Sequence, residues 1–184
     1  MSDDRAGDEK WARLSRREAF RCPYYRISHD RYRLPDGSVG DYCYVDTPGA
    51  TMVIAEADDG RLAVIRQHRY LFARPSLEFP GGGIVAGQSA LQSAQRELEE
   101  EAGYRAERWT RLASVAPYKG ISNELTELFV ARQLTAVDNA PEPTEEFEQL
   151  LLTPAELFEA IDAGELWDGQ TIAALALYQR RHGG

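Results

Sequence analysis

The sequence predicts an α/β or α+β fold built on a mixed sheet, and three observations predict it. Short β-forming runs are separated by Pro35-Asp36-Gly37 and Asp58-Asp59-Gly60, which read as hairpin turns. Two later segments, opening at Ser89 and at Thr153, carry helix-start signatures. No internal repeat is visible, so strands mixed with a few helices leave layered sheet and helix as the architecture. The 184 residues are 43% apolar, enough to bury the core of one ordinary domain with or without a small appendage.

The elements follow in order. Residues 1–10 are polar and predict a tail. Tyr24 to Leu34 alternates, with Tyr25, Ile27 and Tyr32 as β-formers; the Pro35-Asp36-Gly37 turn then leads into a second run, Tyr42 to Val45. Thr47-Pro48-Gly49 punctuates the chain, and a boundary there gives residues 1–47 as an N-terminal β region and 48–184 as the main domain. Met52–Ala55 and Leu62–Ile65 form the next hairpin, and Leu77–Phe79 a short strand that Pro80-Gly81-Gly82-Gly83 is expected to end. Ser89 to Ala102 is the clearest helix: Ser89 caps it, Gln92 completes a capping box, and Gly103 stands where a helix stops. Strands are expected near Leu112–Ala116, Leu125–Ala131 and Phe147–Leu152, with a proline- and acid-rich loop from Thr135 to Glu146. Thr153-Pro154-Ala155-Glu156 opens a helix ending at Gly164, and Asp168 to Gln179 is the last.

Composition narrows function. Thirty acidic against 21 basic residues give a formal net charge of -9, which disfavours a nucleic-acid polymer as partner because phosphate binding wants a basic face. An acidic chain still binds anions through an intervening divalent cation. Cys22 and Cys43 make neither a disulfide framework nor a metal-ligand pattern. No secretory leader and no apolar run near the roughly 20 residues of a membrane span are visible, so the expectation is a cytoplasmic protein with no membrane partner.

The informative segment is Gly82 to Tyr104. On a helix Glu97, Glu100 and Glu101 are spaced i, i+3, i+4 and share one face, while Leu91, Ala94, Leu98 and Ala102 share the adjacent apolar side. Clustered carboxylates suit a hard cation such as Mg²⁺. Arg96 lies four residues before Glu100 and can hold it. Taken alone the run also reads as a solvated acidic face. The preceding Gly81, Gly82 and Gly83, which let backbone approach closely, make the combination more specific. A P-loop is the rival reading of Gly82, Gly87, Gln88 and Ser89, but Gln88 stands where that motif needs lysine.

The order Gly82, then Arg96-Glu97-Leu98, Glu100-Glu101, Gly103 and Tyr104 resembles the signature of the Nudix hydrolases, with one departure: Gln88 stands where the family has a glutamate that supports the arginine. Further segments resemble the ADP-ribose and nucleotide-sugar pyrophosphatase branch: Leu34-Pro35-Asp36-Gly37, Arg66-Gln67-His68-Arg69-Tyr70, Leu77-Glu78-Phe79-Pro80 and Gly120-Ile121-Ser122-Asn123-Glu124. A second departure is Lys119, where ADP-ribose enzymes often carry a proline; Pro117 lies two residues earlier. The resemblance implies a Nudix α/β/α sandwich with a mixed sheet, preceded by a small antiparallel β domain that builds a homodimer.

It also implies roles. Metal binding falls on Glu97, Glu100, Glu101 and the Gly81 carbonyl, with Mg²⁺ expected and Mn²⁺ as the alternative ion, and Arg96 and Gln88 in support. The base that takes a proton from water falls on the acidic loop, at Glu146 ahead of Glu145. Arg69 and Lys119 are candidates for the diphosphate, Glu124 for sugar hydroxyls, and Tyr24 for stacking on the base. His29, His68 and His182 form no ligand pattern.

The expected activity is Mg²⁺-dependent hydrolysis of a nucleoside diphosphate sugar, with ADP-ribose giving AMP and ribose 5-phosphate. The alternatives are GDP-mannose or another nucleotide sugar, a triphosphate or dinucleoside polyphosphate substrate, and a non-catalytic nucleotide-sugar sensor, the last suggested by Gln88.

Overall fold

The computed structural model describes residues 10–138 and 148–182, and the chain divides into two compact units. The first runs to Thr47 and takes in Tyr118–Glu124; the second holds Pro48–Pro117 and the chain from Leu125 onward.

In the first unit, β1 (Arg13–Arg21), β2 (Arg26–Arg33) and β3 (Val39–Asp46) form an antiparallel sheet in that order. The expected hairpin is β2–β3, and Gly37 takes φ 85° in its turn. Strand β1 was absent from the sequence reading for a physical reason. Its residues are exposed throughout and two register shifts interrupt its pairing with β2, so no apolar alternation marks it. Segment Tyr118–Glu124 is tied to this unit through Asp46, whose buried carboxylate accepts Arg26 Nε at 2.8 Å, Ser28 Oγ at 2.9 Å and Asn123 Nδ2 at 2.7 Å. Burial alone would push that carboxyl up; the three donors together outweigh it and hold it below its usual range.

The second unit is a layered sandwich. Strands β4 (Ala50–Glu56), β5 (Leu62–Arg69), β6 (Arg74–Glu78), β7 (Gly81–Gly83), β8 (Tyr104–Val115), β9 (Thr126–Ala136) and β10 (Glu148–Leu152) form one sheet. Its main order is β10-β5-β4-β9-β8, with β6 on β5 and β7 on β4. The β4–β9 pair is parallel and the other pairs antiparallel, so the sheet is mixed as expected. Helices are α1 (Ala90–Ala102), α2 (Pro154–Asp162) and α3 (Gly169–His182).

The apolar runs explain the layers. Alternate residues of a strand face opposite sides, so a continuous apolar strand must be covered twice. Met52, Ile54, Leu62, Val64, Leu128 and Val130 pack with Leu157 of α2 and Ala174, Leu175 and Tyr178 of α3. Val53, Ala55, Ala63, Phe129 and Ala131 pack with Ala94, Leu98 and Ala102 of α1. Leu91, expected on that apolar side, stands at its margin and is exposed.

One irregularity positions the site. Strand β4 pairs with β5 only at Ala55 and Glu56, and its other end, Ala50–Met52, pairs with β7 instead. The Gly81–Gly83 stretch, expected to end regular structure, is therefore itself a strand, because the divergence of β5 leaves the β4 edge open to it. Among the described residues no helix is long and apolar enough to cross a membrane.

Leu98 is fully buried and joins α1 to the sheet. Leu98→Ala is expected to cost about 2–5 kcal/mol. Urea unfolding should show the midpoint falling with little change in slope.

Candidate active site

Helix α1 begins as its sequence dictates. Ser89 Oγ accepts the Gln92 amide at 3.2 Å and the Gln92 side chain accepts the Ser89 amide at 2.8 Å, a complete capping box. Gly103 ends it at φ 69°, in the left-handed region that glycine adopts without strain. With both ends fixed, the register of the acidic residues is fixed too.

The acids do not face solvent. Glu97 and Glu101 are buried, 8% and 5% exposed, on the side of α1 that also carries Ala94 and Leu98, and Glu100 is half-buried one turn along. Buried carboxylates need charge-assisted partners, and these have them. Arg96 donates from Nη2 to Glu97 Oε1 and from Nη1 to Glu100 Oε2, each at 2.5 Å. Glu101 Oε2 accepts the Gly81 amide at 2.7 Å. Burial would lower the Arg96 pKa, but the charges of Glu97 and Glu100 outweigh it and hold the guanidinium above its usual value.

The glycines are required by contact. A β-carbon at Gly81 would lie 2.4 Å from the Thr51 carbonyl oxygen on β4, and one at Gly82 would lie 2.4 Å from Glu97 Oε1. The backbone before them is pinned on both sides. Pro80 O accepts the Val53 amide at 2.9 Å, and the Phe79 amide donates to buried Thr171 Oγ1 at 3.1 Å. That hydroxyl donates in turn to Asp168 at 2.7 Å, and Asp168 also accepts the Thr171 amide at 2.8 Å as the cap of α3.

The candidates divide as follows. Arg96, Glu97, Glu100, Glu101, Gly81 and Arg69 belong to the second unit. Tyr24, 87% exposed, Lys119 and Glu124 belong to the first. Glu145 and Glu146 lie outside the described residues. Arg69 is engaged by Glu78, donating from Nε at 2.7 Å and also from Nη2. Gln88 does not take the expected bond from Arg96: its Oε1 accepts Ser93 Oγ at 3.1 Å, and Arg96 Nε is buried without a partner. Sequence reasoning placed Glu78 in a motif and Asp168 at the start of the last helix but gave neither a role at the site, and it missed Thr171, whose only signal was polarity.

The side-chain donors, all carboxylates, suit a hard cation, and they stand so close to the glycine strand that a β-carbon at Gly82 would meet Glu97. As they stand, no three His, Cys, Asp or Glu side chains among the described residues form a metal-ligating cluster. The positive charge between Glu97 and Glu100 is the Arg96 guanidinium.

This layered fold, with a capped acidic helix set against a glycine strand, is matched in known proteins. The NUDIX domain family matches residues 46–175. An ADP-ribose pyrophosphatase of Bacillus subtilis is 30% identical over 148 residues, 79% of this chain and 80% of that protein. A methanol dehydrogenase activator of Bacillus methanolicus is 32% identical over 156 residues, 84% of each. A crystal structure titled as an ADP compounds hydrolase superposes with a TM-score of 0.81 at 23% identity, over 95% of both chains, a likeness of fold. The chain belongs to the Nudix family. It is a Nudix hydrolase, similar in sequence to the ADP-ribose pyrophosphatase branch, and this sets the non-catalytic sensor reading aside.

The two glycines separate stability from the site. Gly81→Ala drives a β-carbon into the backbone of β4 and is expected to cost about 1–3 kcal/mol. Gly82→Ala meets the movable end of Glu97 and is expected to keep most of the stability while displacing that carboxylate. Thermal unfolding beside cation-binding titration of both variants tests the contrast.

Proposed function

We propose that this protein hydrolyses the diphosphate linkage of a nucleoside diphosphate sugar with Mg²⁺, with ADP-ribose as the leading substrate and AMP and ribose 5-phosphate as products. The observation that carries this is Glu97, Glu100 and Glu101 on one capped helix, with the Arg96 guanidinium between two of them, against the Gly81–Gly82 backbone. Water's oxygen forms a new bond to one phosphorus, the bridging P–O bond breaks, and the electron pair leaves with the second phosphate.

Glu97, Glu100, Glu101 and the Gly81 carbonyl would hold the cation, which when bound supplies charge neutralisation of the diphosphate and a more acidic water. Arg96 now donates to one oxygen of Glu97 and one of Glu100, so a cation that takes those oxygens would displace the guanidinium from at least one of them. Its buried Nε, which has no partner, gives it a reason to move toward any new acceptor. Glu146, with Glu145 second, is assigned as the base. Tyr24 is assigned to the nucleobase, Lys119 to phosphate and Glu124 to sugar hydroxyls; residues 1–47 are assigned as a dimerisation domain that completes each site in a homodimer, ahead of a Nudix domain at 48–184.

The two relatives, an ADP-ribose pyrophosphatase and a methanol dehydrogenase activator, differ in function, which supports testing more than one substrate. AMP release from ADP-ribose, run beside GDP-mannose, is expected to need Mg²⁺ and to fall about 100-fold or more in Glu100→Gln, since a metal's contribution is several kcal/mol. Thermal unfolding should rise with added Mg²⁺ in the wild type and not in the variant. Turnover of GDP-mannose alone would move the substrate and keep the mechanism; turnover without metal would refute the reading.

Gln88 yields a second expectation. Gln88→Glu offers a carboxylate where the family's supports the arginine, which should draw Arg96 away from Glu100. Mg²⁺ affinity, measured by calorimetric titration, is expected to rise; unchanged or weaker binding would show that Arg96 does not compete with the cation.

A further inference from the structure

We propose that Glu78 is a positioning residue that holds Arg69 as a fixed fork for the substrate's diphosphate, an inference that rests on the diphosphate reading above. Glu78 sits near the end of β6 with its side chain only 7% exposed, whereas Arg69, at the end of β5, is 45% exposed. The anion is thus sunk in the protein and the cation emerges from it. Both carboxylate oxygens are used by the guanidinium: Nε donates to Oε1 at 2.7 Å and Nη2 donates to Oε2, while Gln67 Nε2 adds a longer contact to Oε2 at 3.4 Å. A guanidinium carries five N–H donors in a rigid plane, so a carboxylate gripping one edge orients the remaining three.

Stability alone is a poor reason for this arrangement. Glu78 lies opposite Ile65 in the β5–β6 pairing, next to core Leu77, where an apolar residue would be buried without desolvating a charge. Two other carboxylates, Glu101 and Asp168, also attract Arg69 electrostatically. Glu101 is a candidate cation ligand, and Asp168 caps α3. Arg69 therefore lies in the field of the acidic helix, and without a fixed partner it would be drawn toward the carboxylates the cation needs. Glu78 satisfies Arg69 from behind and keeps its outer edge for phosphate.

The test is a double-mutant cycle of Glu78→Gln and Arg69→Gln, with kinetics on whichever nucleoside diphosphate sugar the wild type turns over. Binding of ADP without metal serves as a readout independent of turnover. Each single variant is expected to lose about 10- to 100-fold in kcat/KM, the range for a charge-assisted hydrogen bond. Each should also weaken ADP binding. In the Arg69→Gln background, Glu78→Gln should cost no more than about twofold further, because it has nothing left to position. Should Glu78→Gln fail to fold, Glu78→Asp carries the same cycle with the charge kept and the reach shortened. Wild-type kinetics in the Glu78 variant, or an undiminished loss in the Arg69→Gln background, would overturn the inference alone. A wild type inactive on every nucleoside diphosphate sugar would overturn it together with the activity on which it rests.

Discussion

Two carboxylates buried on the core side of a helix are the constraint around which the second unit is arranged. Removing an ion from water costs several kcal/mol even after the protein relaxes, so Glu97 and Glu101 need partners supplied in place. Glu97 receives the Arg96 guanidinium, and Glu101 receives the Gly81 amide. The second partner requires a free backbone N–H pointing at α1. That in turn requires β7 to lie along β4, which the divergence of β5 permits. Strand pairing, glycine placement and helix register are thus linked through the electrostatics of two side chains.

The same linkage explains the hydroxyl chain at the other end of the segment. Phe79 is held through Thr171 to Asp168, and Pro80 through Val53. Both neighbours of Gly81 on its N-terminal side are thereby anchored in α3 and β4. The proposed binding of a cation and a polyanion would gain from such rigidity, because donors already in place need not reorganise when charge arrives. Helix α3 contributes no residue to the carboxylate cluster, yet its cap fixes the strand against which that cluster is built.

Much of this was legible in the sequence because the signals were local. Ser89, Gln92 and Gly103 set the bounds of α1, and Thr153-Pro154-Ala155-Glu156 set the start of α2, whose capping box forms as spelled. The i, i+3, i+4 spacing put three acids on one helix. What was not legible depends on partners distant in the chain. Strand β1 has no apolar periodicity because its residues are exposed throughout, and its pairing with β2 is what makes it a strand. The inclusion of Tyr118–Glu124 in the first unit rests on Asn123 finding Asp46, 77 residues earlier. That Glu97 and Glu101 would be buried cannot be read from their charge. Leu91, in the first turn of α1, shares the spacing of Ala94, Leu98 and Ala102 but not their burial, which spacing alone does not reveal.

Charge reconciles an acidic chain with an anionic substrate. With a net charge of -9, the chain's overall field disfavours an anion, so the proposed diphosphate would have to be bound by cations placed at short range. Among the second unit's site residues two guanidiniums are candidates for that role, and both are held above their usual pKa, Arg69 chiefly by its hydrogen bonds to Glu78, and Arg96, against the opposing effect of burial, by the charges of Glu97 and Glu100. Neither titrates in any physiological range, so neither imposes a pH dependence of its own. The two arginines differ in one respect that matters. Arg96 is bound to carboxylates the cation would claim, whereas Arg69 is bound to a carboxylate outside that set. Were a cation to take the oxygens that Arg96 now holds, one guanidinium would be released and the other left where it is, and the positive charge facing a bound anion would grow without any change in protonation.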